Sequence, residues 1–61
     1  MNNTGFKDKN GKEILLGGEV IFEGERYDVI VNDFNKRIVV DSELGQAPLV
    51  DVHMLCEVVS V

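Results

Sequence analysis

His53 and Cys56 are the residues of this chain best suited to chemistry, since each is the only one of its kind and a spacing of three puts both on one face of a helical turn. A thiol nucleophile needs a base beside it and a third group to orient that base, and Asp51 is the only local candidate for the third role. Two considerations weigh against catalysis. A lone cysteine packs in a core more often than it reacts, and 61 residues leave little pocket for a substrate. The expectation is a non-enzymatic protein with no catalytic residue, no cofactor and no metal.

Asp8, Asn10 and Gly11 raise the question of a calcium loop. The EF-hand loop places glycine sixth and glutamate twelfth, whereas here glycine is fourth and the twelfth residue, Glu19, follows no flanking helix. The stretch reads as an Asx-Gly turn. Gly17-Gly18 lacks both the Walker lysine and the G-x-G-x-x-G spacing of a phosphate cradle, so it reads as a bend.

Candidate binding residues are of another kind. Phe34 stands at the apex of the polar run Asn32-Asp33-Phe34-Asn35-Lys36-Arg37, where no strand pattern requires burial, and a large apolar tip flanked by charge suits a contact point. The alternative is that it folds back over the mouth of the fold. Lys36 and Arg37 are the adjoining cations, and Glu23 and Glu25 belong with Glu19 and Asp28 to an acidic group that either solubilises a face or attracts a basic partner. Phe34, Lys36, Arg37, Glu23 and Glu25 are therefore the candidate protein-binding set. Tyr27 has the makings of a stacking platform, yet its place in an alternating pattern assigns it to the core.

The elements that position these residues follow from periodicity. Val20, Phe22, Tyr27, Val29, Val31, Ile38 and Val40 recur at period two between Glu19 and Asp41, which predicts a three-stranded antiparallel meander with one apolar face. A two-residue Gly24-Glu25 loop sets Phe22 against Tyr27, Val20 against Val29 and Glu23 against Arg26. A four-residue loop over 33–36 sets Val31 against Ile38 and Val29 against Val40, and leaves Ile21, Ile30 and Val39 on a second face that another segment must partly cover. Before the meander, a three-residue loop with Gly11 in the left-handed bulge position opposes Asp8 to Lys12, Lys7 to Glu13 and Phe6 to Ile14. That register is preferred to a two-residue Asn10-Gly11 loop, which would set like charges opposite. Ser42 to Pro48 reads as a connecting loop. Asp51 is expected to N-cap a single turn over Val52 to Leu55, and Glu57 to Val61 to form a closing strand. The expected fold is all-β: one domain over 1–61, a small SH3-like barrel of about five antiparallel strands with a short 3-10 turn before the last.

Eleven carboxylates against six Lys and Arg give a net charge of −5. Residues 1–12 carry +2, 13–28 carry −4, 29–37 carry +1 and 38–61 carry −4. Phosphate-backbone binding needs a basic face, and only Lys7, Lys9 and Lys12, or Lys36 and Arg37, begin one, so nucleic acid is disfavoured as a partner. One cysteine permits no intrachain disulfide, and a chain this short buries only about 60% of its unfolded surface, so stability rests on a small core or on a partner. No apolar run approaches the ~20 residues of a membrane span, and the N-terminus has no signal-peptide pattern. A cytoplasmic location is the expectation, with which a free thiol agrees.

Thr4-Gly5-Phe6-Lys7-Asp8-Lys9-Asn10-Gly11-Lys12-Glu13-Ile14, followed by Gly17 and Val20-Ile21-Phe22, resembles the opening of the YopX family of phage and prophage proteins. That opening runs approximately T-G-L-K-D-K-N-G-K-E-I-Y-E-G-D-I-V, and the first eleven positions match with one conservative change. Leu16, Gly18 and Glu19 stand where the family usually has Glu, Asp and an aliphatic residue. The resemblance implies a β-rich, SH3-like body encoded by a bacteriophage or an integrated element, and no activity that transfers to a residue. The leading expectation is a phage- or prophage-derived protein-interaction module whose partner is a protein, one from the bacterial host included. The alternatives are a nucleic-acid-binding adaptor using the local basic patch and an acidic inhibitor of a host defence or nucleic-acid-binding protein.

Overall fold

The computed structural model describes residues 3–59. It is all-β in two antiparallel sheets. Strands β1 (Asn3–Lys7) and β2 (Glu13–Leu15) form a hairpin, and β3 (Glu19–Phe22), β4 (Glu25–Val31), β5 (Ile38–Ser42), β6 (Gly45–Pro48) and β7 (Glu57–Val58) form a five-stranded sheet in the order β6-β5-β4-β3-β7. A single turn α1 (Leu49–Val52) runs into a 3-10 turn, His53–Leu55, just before β7. Among the described residues the strands therefore number seven, not about five, and their ladders form two sheets rather than one closed ring.

The alternating residues make the core. Ile14, Val20, Val29, Val40, Leu49 and Cys56 are fully buried, with Tyr27 and Val52 beside them and Phe6, Leu16, Phe22, Ile38, Ala47 and Val58 packed around. Burying a Val, Leu or Ile side chain is worth about 1.5–3 kcal/mol. Five of the six fully buried side chains are of this kind. Val39 is buried on the opposite face, with Ile21 and Ile30 half-buried there.

The 33–36 loop has the expected register, Val31 against Ile38, Ile30 against Val39 and Val29 against Val40. The β3–β4 turn does not. Val20 lies opposite Tyr27, Ile21 opposite Arg26 and Phe22 opposite Glu25, so the loop is Glu23-Gly24 rather than Gly24-Glu25. Both loop residues take positive φ, 52° and 80°, the type I′ geometry whose twist matches the flanking strands. This register also lets the ladder run on past β3, where Gly17 N–H donates to Val29 O (2.8 Å) and Val29 N–H to Gly18 O (2.9 Å). Because the slip is two residues and the side-chain period is two, every core residue keeps its face. Phe22 and Tyr27 meet diagonally, rings edge-on at 5.7 Å, and Arg26 pairs with Glu19 at 3.7 Å instead of Glu23.

Three further expectations are corrected. The segment expected as a loop over Ser42 to Pro48 is mostly strand β6, turning at Glu43-Leu44 and pairing Val40 with Ala47 and Asp41 with Gln46. Gly, Gln, Ala and Pro carry little strand propensity, and the edge position is what makes proline tolerable there. Asp51 lies inside α1 and does not cap it, because the helical turn starts directly after Pro48, which has no side-chain bond to offer. The closing strand covers Glu57–Val58, with Val59 N–H reaching Glu19 O at 3.0 Å, and its expected end at Ser60 and Val61 lies outside the described residues.

The first hairpin closes as predicted at Gly11 (φ 82°), with Lys7 against Glu13 and Asp8 N–H donating to Lys12 O at 2.8 Å. The register slips between Lys7 and Asn3, so the regular Phe6–Ile14 pair expected there is replaced by a contact from Thr4, whose hydroxyl donates to Ile14 O at 2.7 Å.

Candidate functional site

The loop between β4 and β5 is built by asparagine. Asn32 N–H donates to Arg37 O (2.7 Å) and Lys36 N–H to Asn32 O (2.7 Å), which closes the backbone. The Asn32 Oδ1 then accepts from Phe34 N–H (2.8 Å), the Asn35 Oδ1 accepts from Arg37 N–H (2.9 Å), and Asn32 Nδ2 donates to Gln46 Oε1 (3.1 Å) on β6. These Asx bonds fix the turn through its own side chains and backbone. Lys36 holds φ 61°, a left-handed conformation costing a residue with a Cβ about 1–2 kcal/mol.

On this frame Phe34 is 97% exposed. It projects into water and does not fold back over the sheet. Lys36 and Arg37 are exposed and form no ion pair with the described residues; Lys9–Glu57 and Arg26–Glu19 are exposed pairs elsewhere, each at 3.7 Å.

The candidate set is split in space. Glu23 and Glu25 sit at the other end of β4, whose seven residues span about 20 Å at ~3.3 Å per residue. Glu25 lines an open hollow of about 680 Å³ with Glu19, Asp28, Asp41, Glu43 and Arg26, and Glu23 stands beside it on the hairpin tip. The molecule thus carries an aromatic and basic pole and an acidic pole at opposite ends of one sheet.

His53, Cys56 and Asp51 are not arranged as a relay. Cys56 is fully buried among core side chains, and burial, with the nearby Asp8 charge, pushes its thiol above the ordinary value of 9.0. Nucleophilic cysteines have the opposite shift. His53 Nδ1 lies 2.9 Å from Lys7 O, an acceptor only, so Nδ1 carries the proton; the ring packs on Phe6 at 4.8 Å. No hydrogen bond joins Asp51 or the His53 ring to the thiol among the described residues.

Asp8 is the residue that local reading missed. It is 5% exposed; one carboxylate oxygen accepts from Asn10 N–H (2.9 Å) and Lys12 N–H (2.8 Å), the other from Val58 N–H (2.8 Å). Its turn was legible from Asx-Gly, but Val58 is fifty residues away. Burial alone would raise its pKa. The three N–H donors and the Lys12 charge outweigh that and hold the carboxyl below its ordinary 3.8. Both oxygens face donors, which is turn and clamp geometry, not that of a cation ligand.

Comparison with protein-family models, curated proteins and solved structures finds no match. No helix among the described residues is long and apolar enough to cross a membrane.

Proposed function

We propose that this protein is a non-enzymatic interaction module that binds a protein through the 32–37 loop, with Phe34 as its anchor. The observation that carries the reading is a wholly exposed phenylalanine on a loop held by five hydrogen bonds. A ring left in water on a preorganised frame loses little entropy when a partner covers it, and buried aromatic anchors dominate interface energetics. The likeness of residues 4–14 to the YopX opening supports a phage or prophage origin, with a bacterial host protein as partner and the cytoplasm as its place of action.

The test is capture from a bacterial host lysate by the full chain and by Phe34→Ala. The variant is expected to keep its stability, because the ring touches solvent only, and to lose the captured proteins. Identical capture by both would discard the assignment. The acidic pole favours a second reading, in which Glu23, Glu25 and their neighbours occupy a basic surface meant for nucleic acid. It predicts a complex with a basic host protein that added nucleic acid displaces. A nucleic-acid adaptor would instead shift the mobility of DNA or RNA at low salt.

A further inference from the structure

We propose that the groove beside the 33–36 loop takes a short acidic peptide, seating an aliphatic side chain against Ile38, Pro48 and Val50 while its carboxylates meet Lys36 and Arg37. The proposal rests on the reading above, that this pole meets a protein, and adds the chemistry of the partner. The groove has a volume of about 360 Å³ and is lined by Phe6, Lys36, Arg37, Ile38, Pro48 and Val50. Four elements converge on it: Phe6 from β1, Ile38 from the start of β5, Pro48 from the end of β6 and Val50 from α1.

Its lining is of two kinds, apolar and cationic. Val50 is 54% exposed, an aliphatic side chain left in water, and Ile38 and Pro48 continue the apolar surface. Lys36 and Arg37 are exposed and line the same groove without an ion pair to any described residue. An apolar lining with a few polar groups is the usual composition of a recognition groove.

Charge limits the occupant's size and sign. The whole protein carries −5 and repels a broadly acidic partner, so attraction to the two cations acts only within a screening length of about 8 Å. The acidic hollow comes nearest through Asp41, three residues along β5 from Ile38, about 10 Å away at ~3.3 Å per residue and just beyond that range. A short acidic segment satisfies both conditions. A nucleic-acid strand fits less well: two cations offer few phosphate contacts, and the one aromatic ring in the groove, Phe6, already packs against His53, leaving an aliphatic lining where bases want a stacking face.

The test is an amide-resolved NMR titration of the full chain with the capped peptide acetyl-EDLVDE-amide and its basic counterpart acetyl-KKLVKK-amide. The acidic peptide is expected to move the Ile38 and Val50 amides and the basic one to leave them in place. The double variant K36E/R37E should weaken binding at least about tenfold, and ionic strength of about 1 M, where screening falls to about 3 Å, should do the same. Val50→Asp should weaken it without touching the cations. Shifts confined to other residues, an equal response to both peptides, indifference to K36E/R37E, or tighter binding of an oligothymidylate to the same amides would overturn the proposal. Phe34 does not line the groove, so the two readings fail separately. Loss of capture in Phe34→Ala with no peptide binding removes only the groove, while peptide binding with intact capture removes only the anchor.

Discussion

At the scale of single residues, Asp8 and Cys56 do the most with the least exposure. Asp8 satisfies three backbone donors, and replacing it with Asn turns an amide N–H toward Val58 N–H, donor against donor. Asp8→Asn is expected to cost about 3 kcal/mol, since hydrogen bonds to charged groups contribute roughly 1.5–3 each; a shift in denaturant midpoint measures it. The lowered pKa fixes the pH window. A carboxyl that holds its proton less tightly folded than unfolded contributes stability that is present above 3.8 and drains away as pH falls through the lower folded value. The gap between wild type and Asp8→Asn should therefore be widest above that pH and close on acidification. The Cys56 thiol has the mirror behaviour: raised in the fold, it makes stability fall once pH climbs past 9.0, where the unfolded chain ionises first. Native protein should react with a thiol-specific disulfide reagent only as fast as it opens, and rapid stoichiometric labelling without unfolding would contradict this placement. Sequence gave the turn at Asp8 through its neighbours. It gave no hint of Val58, because one isolated N–H in an apolar segment carries no local signature.

At the scale of elements, what was legible depended on whether a one-residue or a two-residue ambiguity was at stake. The faces of β3, β4 and β5 were readable because Val20, Tyr27, Val29 and Val40 alternate, and alternation is insensitive to a slip of two. The slip itself was hidden. A glycine marks a hairpin, but whether it stands first or second in the loop depends on its neighbour accepting positive φ, which Glu23 does here at 52°. Glu23→Asn supplies a residue that visits this region at less cost and creates the Asn-Gly pair favoured in type I′ turns. It is expected to stabilise the fold by about 0.5–1 kcal/mol, read as a raised melting temperature. A neutral or lower value would mean that the Glu23-Gly24 turn is not the one populated. Strand β6 was illegible for a different reason. Its residues are poor strand formers held in place by β5, a tertiary effect that composition does not record. The loop holding Phe34 was readable because its asparagines act on their own backbone, whereas the groove below it joins residues from β1, β5, β6 and α1 that lie far apart in the chain.

For the whole molecule, the question is what joins the β1–β2 hairpin to the five-stranded sheet, since no ladder among the described residues does so directly. Ile14 reaches into the core with Phe6 and Leu16 packed against it, His53 Nδ1 donates to Lys7 O, and further ties come from residues 56–58: Lys9 N–H donates to Cys56 O at 2.9 Å, Val58 N–H donates to Asp8, and Lys9 meets Glu57. That stretch also supplies Cys56 to the core and β7 to the sheet edge. It acts as a strap across the two sheets. A domain of this length has a stability of roughly 3–9 kcal/mol at 0.05–0.15 kcal/mol per residue, and the strap concentrates a fully buried side chain, two ladder pairs and a donor to the Asp8 carboxylate into three residues. Ending the chain at Leu55 removes all of these together and leaves the Asp8 carboxylate buried without one of its donors. The shortened chain is expected to lose its cooperative thermal transition and the dispersion of its Ile14 and Val20 methyl signals. A truncated protein that still unfolds cooperatively, with those methyls dispersed, would place the junction in the Gly17-Gly18 corner and the Ile14 contact instead, and would make the C-terminal strap an accessory to a fold already complete without it.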